Sequence, residues 1–171
     1  RIESLIRKTD NPNLMTIKYH KCSPFWHPDS LDKGLQIFMA ELIDESQDTL
    51  YICEGEKDAY NFPSWLNAVC FSAGAGSIPK DLFPLHPYKK IVVLYDNDDA
   101  GKIGAEKVAT RITSEWDAEV KIGQWDSSLT DGYDVYDDWK NHKDFPNTDK
   151  AISNAVIYEP QTESKNKIGE F

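Results

Sequence analysis

Residues 91–101 read I-V-V-L-Y-D-N-D-D-A-G, and this stretch constrains the fold more than any other. Ile91 to Tyr95 is a continuous apolar, β-branched run, the pattern of a strand buried on both faces. It stops at Asp96, Asp98 and Asp99, and a helical pattern begins after Gly101. A buried strand that ends in clustered acids places them at the C-terminal edge of a parallel sheet, where ligands of open α/β folds sit. Carboxylates this close share protons or gather around a cation. Oxygen ligands with no His or Cys beside them favour Mg²⁺ or Mn²⁺ over zinc.

A second acidic strand end lies upstream. Tyr51-Ile52-Cys53 leads into Glu54-Gly55-Glu56-Lys57-Asp58-Ala59, where a glycine permits a tight turn beside the carboxylate. Asp58 stands one helical turn from Glu54, so it either faces the same site or caps a helix. Asp99 is likewise either a further ligand or a cap. The expected fold is α/β: a small, mostly parallel sheet with helices on both faces, preceded by a small N-terminal lobe.

The chain has 171 residues and is 40% hydrophobic, enough for a buried core, which excludes disorder throughout. No apolar run approaches the roughly 18 residues of a membrane helix, so no membrane partner is expected. Three cysteines make no disulfide framework, which fits a reducing, cytoplasmic setting. The chain opens at Arg1 and reads as a piece of something longer. Its net charge of −10 disfavours phosphate contacts, unless bound Mg²⁺ offsets the acids or other parts of the parent protein hold the nucleic acid.

Along the chain, residues 14–19 read as a strand and 20–30 as a loop. His20, Cys22 and His27 have near-ligand spacing but lack a fourth ligand, so the loop reads as a Pro-anchored connection. Ser30 caps a predicted helix over 31–44, with Leu35, Phe38, Met39, Leu42 and Ile43 as its buried stripe. Strands are predicted at 49–53, 67–71 and 119–123. Helices are predicted at 58–66 with a bend at Pro63, at 78–85 starting from Pro79, from Gly101 to about Trp116, and at 148–156. In the last long helix the stripe is Ala100, Gly104, Val108, Ile112 and Trp116, with Ile103 beside it. The loop with Gly74 and Gly76 reads equally as a phosphate cradle or a tight turn.

E-G-E-K-D-A followed by D-N-D-D-A-G resembles the Toprim domain shared by bacterial-type primases, topoisomerases and several nucleases. K-Y-x-x-x-S-P (Lys18 to Pro24), D-K-G-L (Asp32 to Leu35) and Y-D-V-Y-D-D-W (Tyr133 to Trp139) resemble elements that flank Toprim in replicative primases. The resemblance, from Lys18 to Trp139, implies a primase that makes short RNA primers from NTPs on single-stranded DNA. It also implies a helicase, in the same chain or separate, as in phage- or plasmid-type primase–helicases. Glu54, Asp96 and Asp98 would be catalytic and, with Asp134, would hold the metal. Lys18, Lys33, Lys57, Gly74, Gly76 and Lys102 would contact nucleotide or nucleic acid. Tyr133 stands where the family has a Lys, so a charge-balancing cation is missing there. The implied organisation is an N-terminal lobe over 1–45, Toprim over 46–158 and a linker or disordered tail over 159–171. A metal-dependent Toprim nuclease and a catalytically silent nucleic-acid-binding module are the alternatives.

Overall fold

The computed structural model describes residues 19–22, 25–28, 37–71 and 74–160. Lys18, Lys33, nearly all of the strand expected over 14–19 and the tail from 161 onward lie outside the described residues.

Four strands form the parallel centre: β4 (Thr49–Cys53), β5 (Asn67–Phe71), β6 (Lys90–Leu94) and β7 (Glu119–Ile122). Two-residue antiparallel strands close both edges, β3 (Ile37–Phe38) beside β5 and β8 (Val156–Ile157) beside β7. The order across the sheet is β3-β5-β4-β6-β7-β8. From β4 the chain steps outward to β5, and from β6 it steps outward the other way to β7. The C-terminal ends of β4 and β6 therefore flank the crevice where the winding reverses. A separate hairpin pairs β1 (Tyr19–Cys22) with β2 (Phe25–Pro28).

Strand alternation builds two cores. Leu50, Ile52, Val69, Phe71, Ile91 and Val93 point to one face. Helix α2 (Asp99–Glu115) covers that face with Ala105, Val108, Ala109 and Ile112. Tyr51, Cys53, Cys70, Val92 and Leu94 point to the other. There they meet α1 (Glu56–Asn61), α3 (Val135–His142) and α4 (Pro146–Ser153) through Ala59, Val135 and Ala151. Burying each large aliphatic side chain contributes about 1.5–3 kcal/mol, so the central strands anchor the fold.

Several expectations are corrected. The loop expected over 20–30 is the β1–β2 hairpin; Tyr, Phe and Trp suit paired strands. The helix expected over 31–44 is not a helix over its described part. Ile37 and Phe38 pair with Phe71 and Cys70, Met39 turns left-handed at φ 67°, and only a 3₁₀ turn, Ala40–Leu42, follows. Leu42, placed in that helix's core stripe, is exposed. The helix expected at 78–85 is a 3₁₀ turn at Phe83–Leu85, where Asp81 accepts from the Phe83 amide and holds a turn. Helix α1 starts two residues early and ends at Asn61, because Phe62 precedes Pro63 and is extended. In α2, Ala100 and Ile103 are exposed, and Ala105 and Ala109 take their places in the buried stripe. The helix expected over 148–156 is α4, which ends at Ser153 before β8.

Candidate metal centre

Glu54 directly follows β4, and Asp96 follows β6 by two residues. The turn after Asp96 is shaped by Gly101, where a Cβ would lie 2.3 Å from the Asp96 carbonyl oxygen. Helix α2 can begin this close to the strand end only without a side chain there. Asp98 caps α2, its Oδ1 accepting from the Gly101 amide at 2.6 Å.

Asp134 arrives from far along the chain. The Asn97 amide donates to the Tyr133 carbonyl at 2.9 Å, and the Gly132 amide donates to the Asn97 carbonyl at 3.0 Å. Gly132 turns at φ 71°, a conformation that glycine adopts without strain. The Trp125 indole donates to the Tyr95 carbonyl at 2.7 Å and meets Tyr133 edge-on. These bonds tie the 132–134 segment to the end of β6. Asp134 then caps α3 by accepting from the Asp137 amide at 2.6 Å. Its other oxygen is 2.5 Å from the Lys57 ammonium. The cation that Tyr133 does not supply comes instead from α1.

Asp58, on α1, is only 4% exposed and accepts from the Tyr136 amide at 3.1 Å. Ligand oxygens of Asp58, Asp96 and Asp134 all lie within 4.8 Å of one another. Burial pushes Asp96 up to about 8, and the charges of Glu54, Asp58 and Asp134 add to it. Burial likewise pushes Asp58 up to about 7, with Asp134 adding and Lys57 opposing. Glu54 is raised by burial first, while the amides of Asp96 and Ala75 oppose the rise. Such a set of negative charges held together is stabilised by a cation. The donors are all carboxylate oxygens, which suits a hard divalent ion such as Mg²⁺ that keeps several waters.

Among the residues expected at the site, Asp96 and Asp134 meet. Asp58 joins them, nearly fully buried, while its Oδ1 also accepts from a first-turn amide of α3. Glu54 stands beside the trio, with an oxygen 3.4 Å from the Asp96 amide. Asp98 lies outside the trio and uses one oxygen, Oδ1, to cap α2. Asp99 is fully exposed in the first turn of α2, 3.9 Å from Lys102. Gly74 turns at φ 76°, and between it and Gly76 the Ala75 amide reaches Glu54. The Ala75 carbonyl packs on α2, where a Cβ at Gly104 would come within 2.5 Å of it. Lys57 is engaged with Asp134. Lys102 lines a groove of about 380 Å³ beside Asp96, together with Tyr95, Trp125 and Tyr158.

Sequence reasoning missed the Lys57–Asp134 pair and the role of Asp138. Asp138 is fully buried and accepts from the Tyr133 hydroxyl, the Asn147 amide and the Thr148 amide at 3.0, 3.0 and 2.7 Å. The last two are first-turn donors of α4. The only signal in sequence is an acid eight residues before a Pro-started helix.

No protein-family model matches this chain, and no curated protein does. Solved structures do. The crystal structure of the Aquifex aeolicus primase, zinc-binding and RNA polymerase domains, is 22% identical with a TM-score of 0.58 over 77% of this chain and 32% of that one. A DnaG primase catalytic domain bound to single-stranded DNA is 18% identical with a TM-score of 0.59, over 79% and 44%. A DnaG catalytic core is 17% identical with a TM-score of 0.58, over 81% and 46%. This chain thus spans less than half the length of each. What it shares with them is the fold: a mixed sheet of the Toprim type, as found in bacterial-type primase cores.

Proposed function

We propose that this chain is the Toprim catalytic core of a DNA primase, which synthesises RNA primers from NTPs on a single-stranded DNA template and works with a helicase in the same or another chain. The observation that carries this reading is the Asp58–Asp96–Asp134 trio, two of its members buried and Asp96 half-buried, at the crevice between β4 and β6, in a fold shared with primase cores.

Asp58, Asp96 and Asp134 would hold Mg²⁺ or Mn²⁺. When bound, the ion supplies charge stabilisation at the phosphate and at the attacking and leaving oxygens. Glu54, raised by burial and standing off the trio, takes the proton from the attacking 3′-hydroxyl. Asp98 fixes the start of α2, and through it the position of Asp96. Lys57 restrains Asp134 and partly offsets the local negative charge. Lys102, in the groove beside Asp96, meets the triphosphate of the incoming nucleotide. On sequence, 1–45 is assigned to an N-terminal part carrying Lys18 and Lys33 as candidate nucleic-acid contacts, and 46–158 to the Toprim unit. Ile37–Phe38 lends that unit an edge strand. Among the described residues no helix is long and apolar enough to cross a membrane, in keeping with work in the cytoplasm, in a phage- or plasmid-type system.

The test is incubation of the full-length protein with single-stranded DNA, labelled NTPs and Mg²⁺, alongside labelled DNA without NTPs. Oligoribonucleotides that depend on NTPs and vanish in Asp96→Asn are the expected result. Metal-dependent cutting of the DNA without such products would replace this reading with a Toprim nuclease. Inactivity in both tubes would leave a silent binding module.

A further inference from the structure

Two stacked rings of helix α3, Tyr136 and Trp139, each meet a lysine. The Lys57 ammonium lies 4.8 Å from the centre of the Tyr136 ring. The Tyr136 ring stacks on Trp139 at 5.7 Å and 28°. The Lys143 ammonium lies 3.6 Å from the centre of the Trp139 ring. Trp139 is half-buried, and Lys143 is exposed.

Lys143 is placed there at a conformational cost. It is the C-cap of α3 and sits at φ 67°, where glycine is the ordinary choice. A lysine in this position gives up backbone ease to put a cation over the indole. Helix α3 also begins at Asp134, one of the metal-centre carboxylates. Trp139 is five positions further on, about 7–8 Å along the helix axis.

We propose that Tyr136, Trp139 and Lys143 form a stacking platform for an unpaired base of single-stranded DNA, one that leads the strand to the metal centre. The base takes the place of the Lys143 ammonium over Trp139, and the ammonium moves to the adjoining phosphate. Stacking on rings is sequence-tolerant, because every base has a π-face. It also depends less on net positive charge than phosphate contacts do. That matters in a chain of net charge −10, where Asp137 and Asp144 flank the platform. The proposal rests on the nucleic-acid part of the function proposed above.

The experiment measures binding of a fluorescently labelled oligo(dT) to the full-length protein by anisotropy, in EDTA. Lys143→Gly removes the cation and also relieves the left-handed backbone, so its melting temperature stays level or rises while affinity falls about three- to tenfold. Trp139→Leu lowers affinity about tenfold or more, and Trp139→Phe restores most of it. Oligo(dT) binding that is unchanged in both Lys143→Gly and Trp139→Leu overturns the platform. Losses confined to a parallel oligo(rU) arm overturn it as well. Primer synthesis measured on the same preparations keeps the two readings apart. Intact synthesis with unchanged oligo(dT) binding removes the platform alone. Binding lost in the variants, with no synthesis even by the wild type, keeps the platform and removes the primase.

Discussion

Asp134 and Asp138 are four residues apart, both buried, and put to opposite uses. Around Asp138 the surroundings are donors: a phenol, two backbone amides and the Asn147 side-chain amide, all within 3.0 Å. Asp134 also meets donors, the Asp137 amide and the Lys57 ammonium, but carboxylate oxygens of Asp58 and Asp96 crowd it within 4.8 Å as well. A carboxylate met by donors is satisfied, and it locks α3 to α4. Carboxylates packed against one another are left with a charge that only a proton or a cation relieves. The first arrangement builds stability, and the second is the candidate metal centre. Residue type and burial alone do not tell them apart; the neighbours do.

The largest expected effect is on activity. Asp96→Asn should lower primer synthesis at least about a hundredfold, or about 2.7 kcal/mol of transition-state stabilisation, without lowering the melting temperature. A variant that keeps near-normal synthesis would show that the trio is not the reactive centre.

Asp138→Ala should do the reverse of Asp96→Asn in the folded protein. It strands the Tyr133 hydroxyl and the α4 amides without an acceptor, and should lower stability by about 3 kcal/mol in urea titration. A loss below about 1 kcal/mol would erase the distinction between the two acids.

The pH dependence of stability in EDTA is a smaller effect with a definite sign. Asp58 and Asp96 are raised to about 7 and about 8 from an ordinary value of 3.8. Between the unfolded and folded values the native state holds the extra proton. Their contribution is therefore full below the ordinary carboxylate range and is lost as pH rises through about 7 to 8. Wild type should fall behind Asp96→Asn by on the order of 1–2 kcal/mol by about pH 9, and the gap should close towards about pH 4. Thermal melts across that range, with Mg²⁺ added back at the alkaline end, would read both the loss and its reversal.

Lys57→Met should have the smallest effect, lowering stability by about 1 kcal/mol or less at alkaline pH in EDTA, since Lys57 is partly exposed. Added Mg²⁺ should recover most of it. No recovery would mean that Lys57 serves packing more than charge.

The strands were legible because their sequences have one reading. T-L-Y-I-C, N-A-V-C-F and K-I-V-V-L are short apolar runs bounded by polar or turn residues, and each is buried on both faces. The stretch before β4 was misread, because Leu35, Phe38, Met39 and Leu42 fall at helical spacing. Pairing of Ile37 and Phe38 with a strand more than thirty residues later overrides that local signal. At the site, Glu54 and Asp96 were visible as acids at strand ends. Spacing could not say whether Asp98 would cap or ligate, since the first turn of a helix rewards either. The place of Asp58 depends on α1 meeting α3 through an amide 78 positions away, which no local pattern encodes.

The Asn97–Tyr133 backbone bond bears on how the molecule comes off the ribosome. Synthesis delivers Asp58 and Asp96 first, and the strands that carry them can pair at once. Asp134 follows only after α2 and β7 have been made, and it is seated only when its segment docks on Asn97. Until then a nascent chain has two of its three chelating groups in place and is a poor trap for divalent ions. An ion held by the trio would thus be captured late in biogenesis, and its retention would report that the domain, down to its last third, has folded.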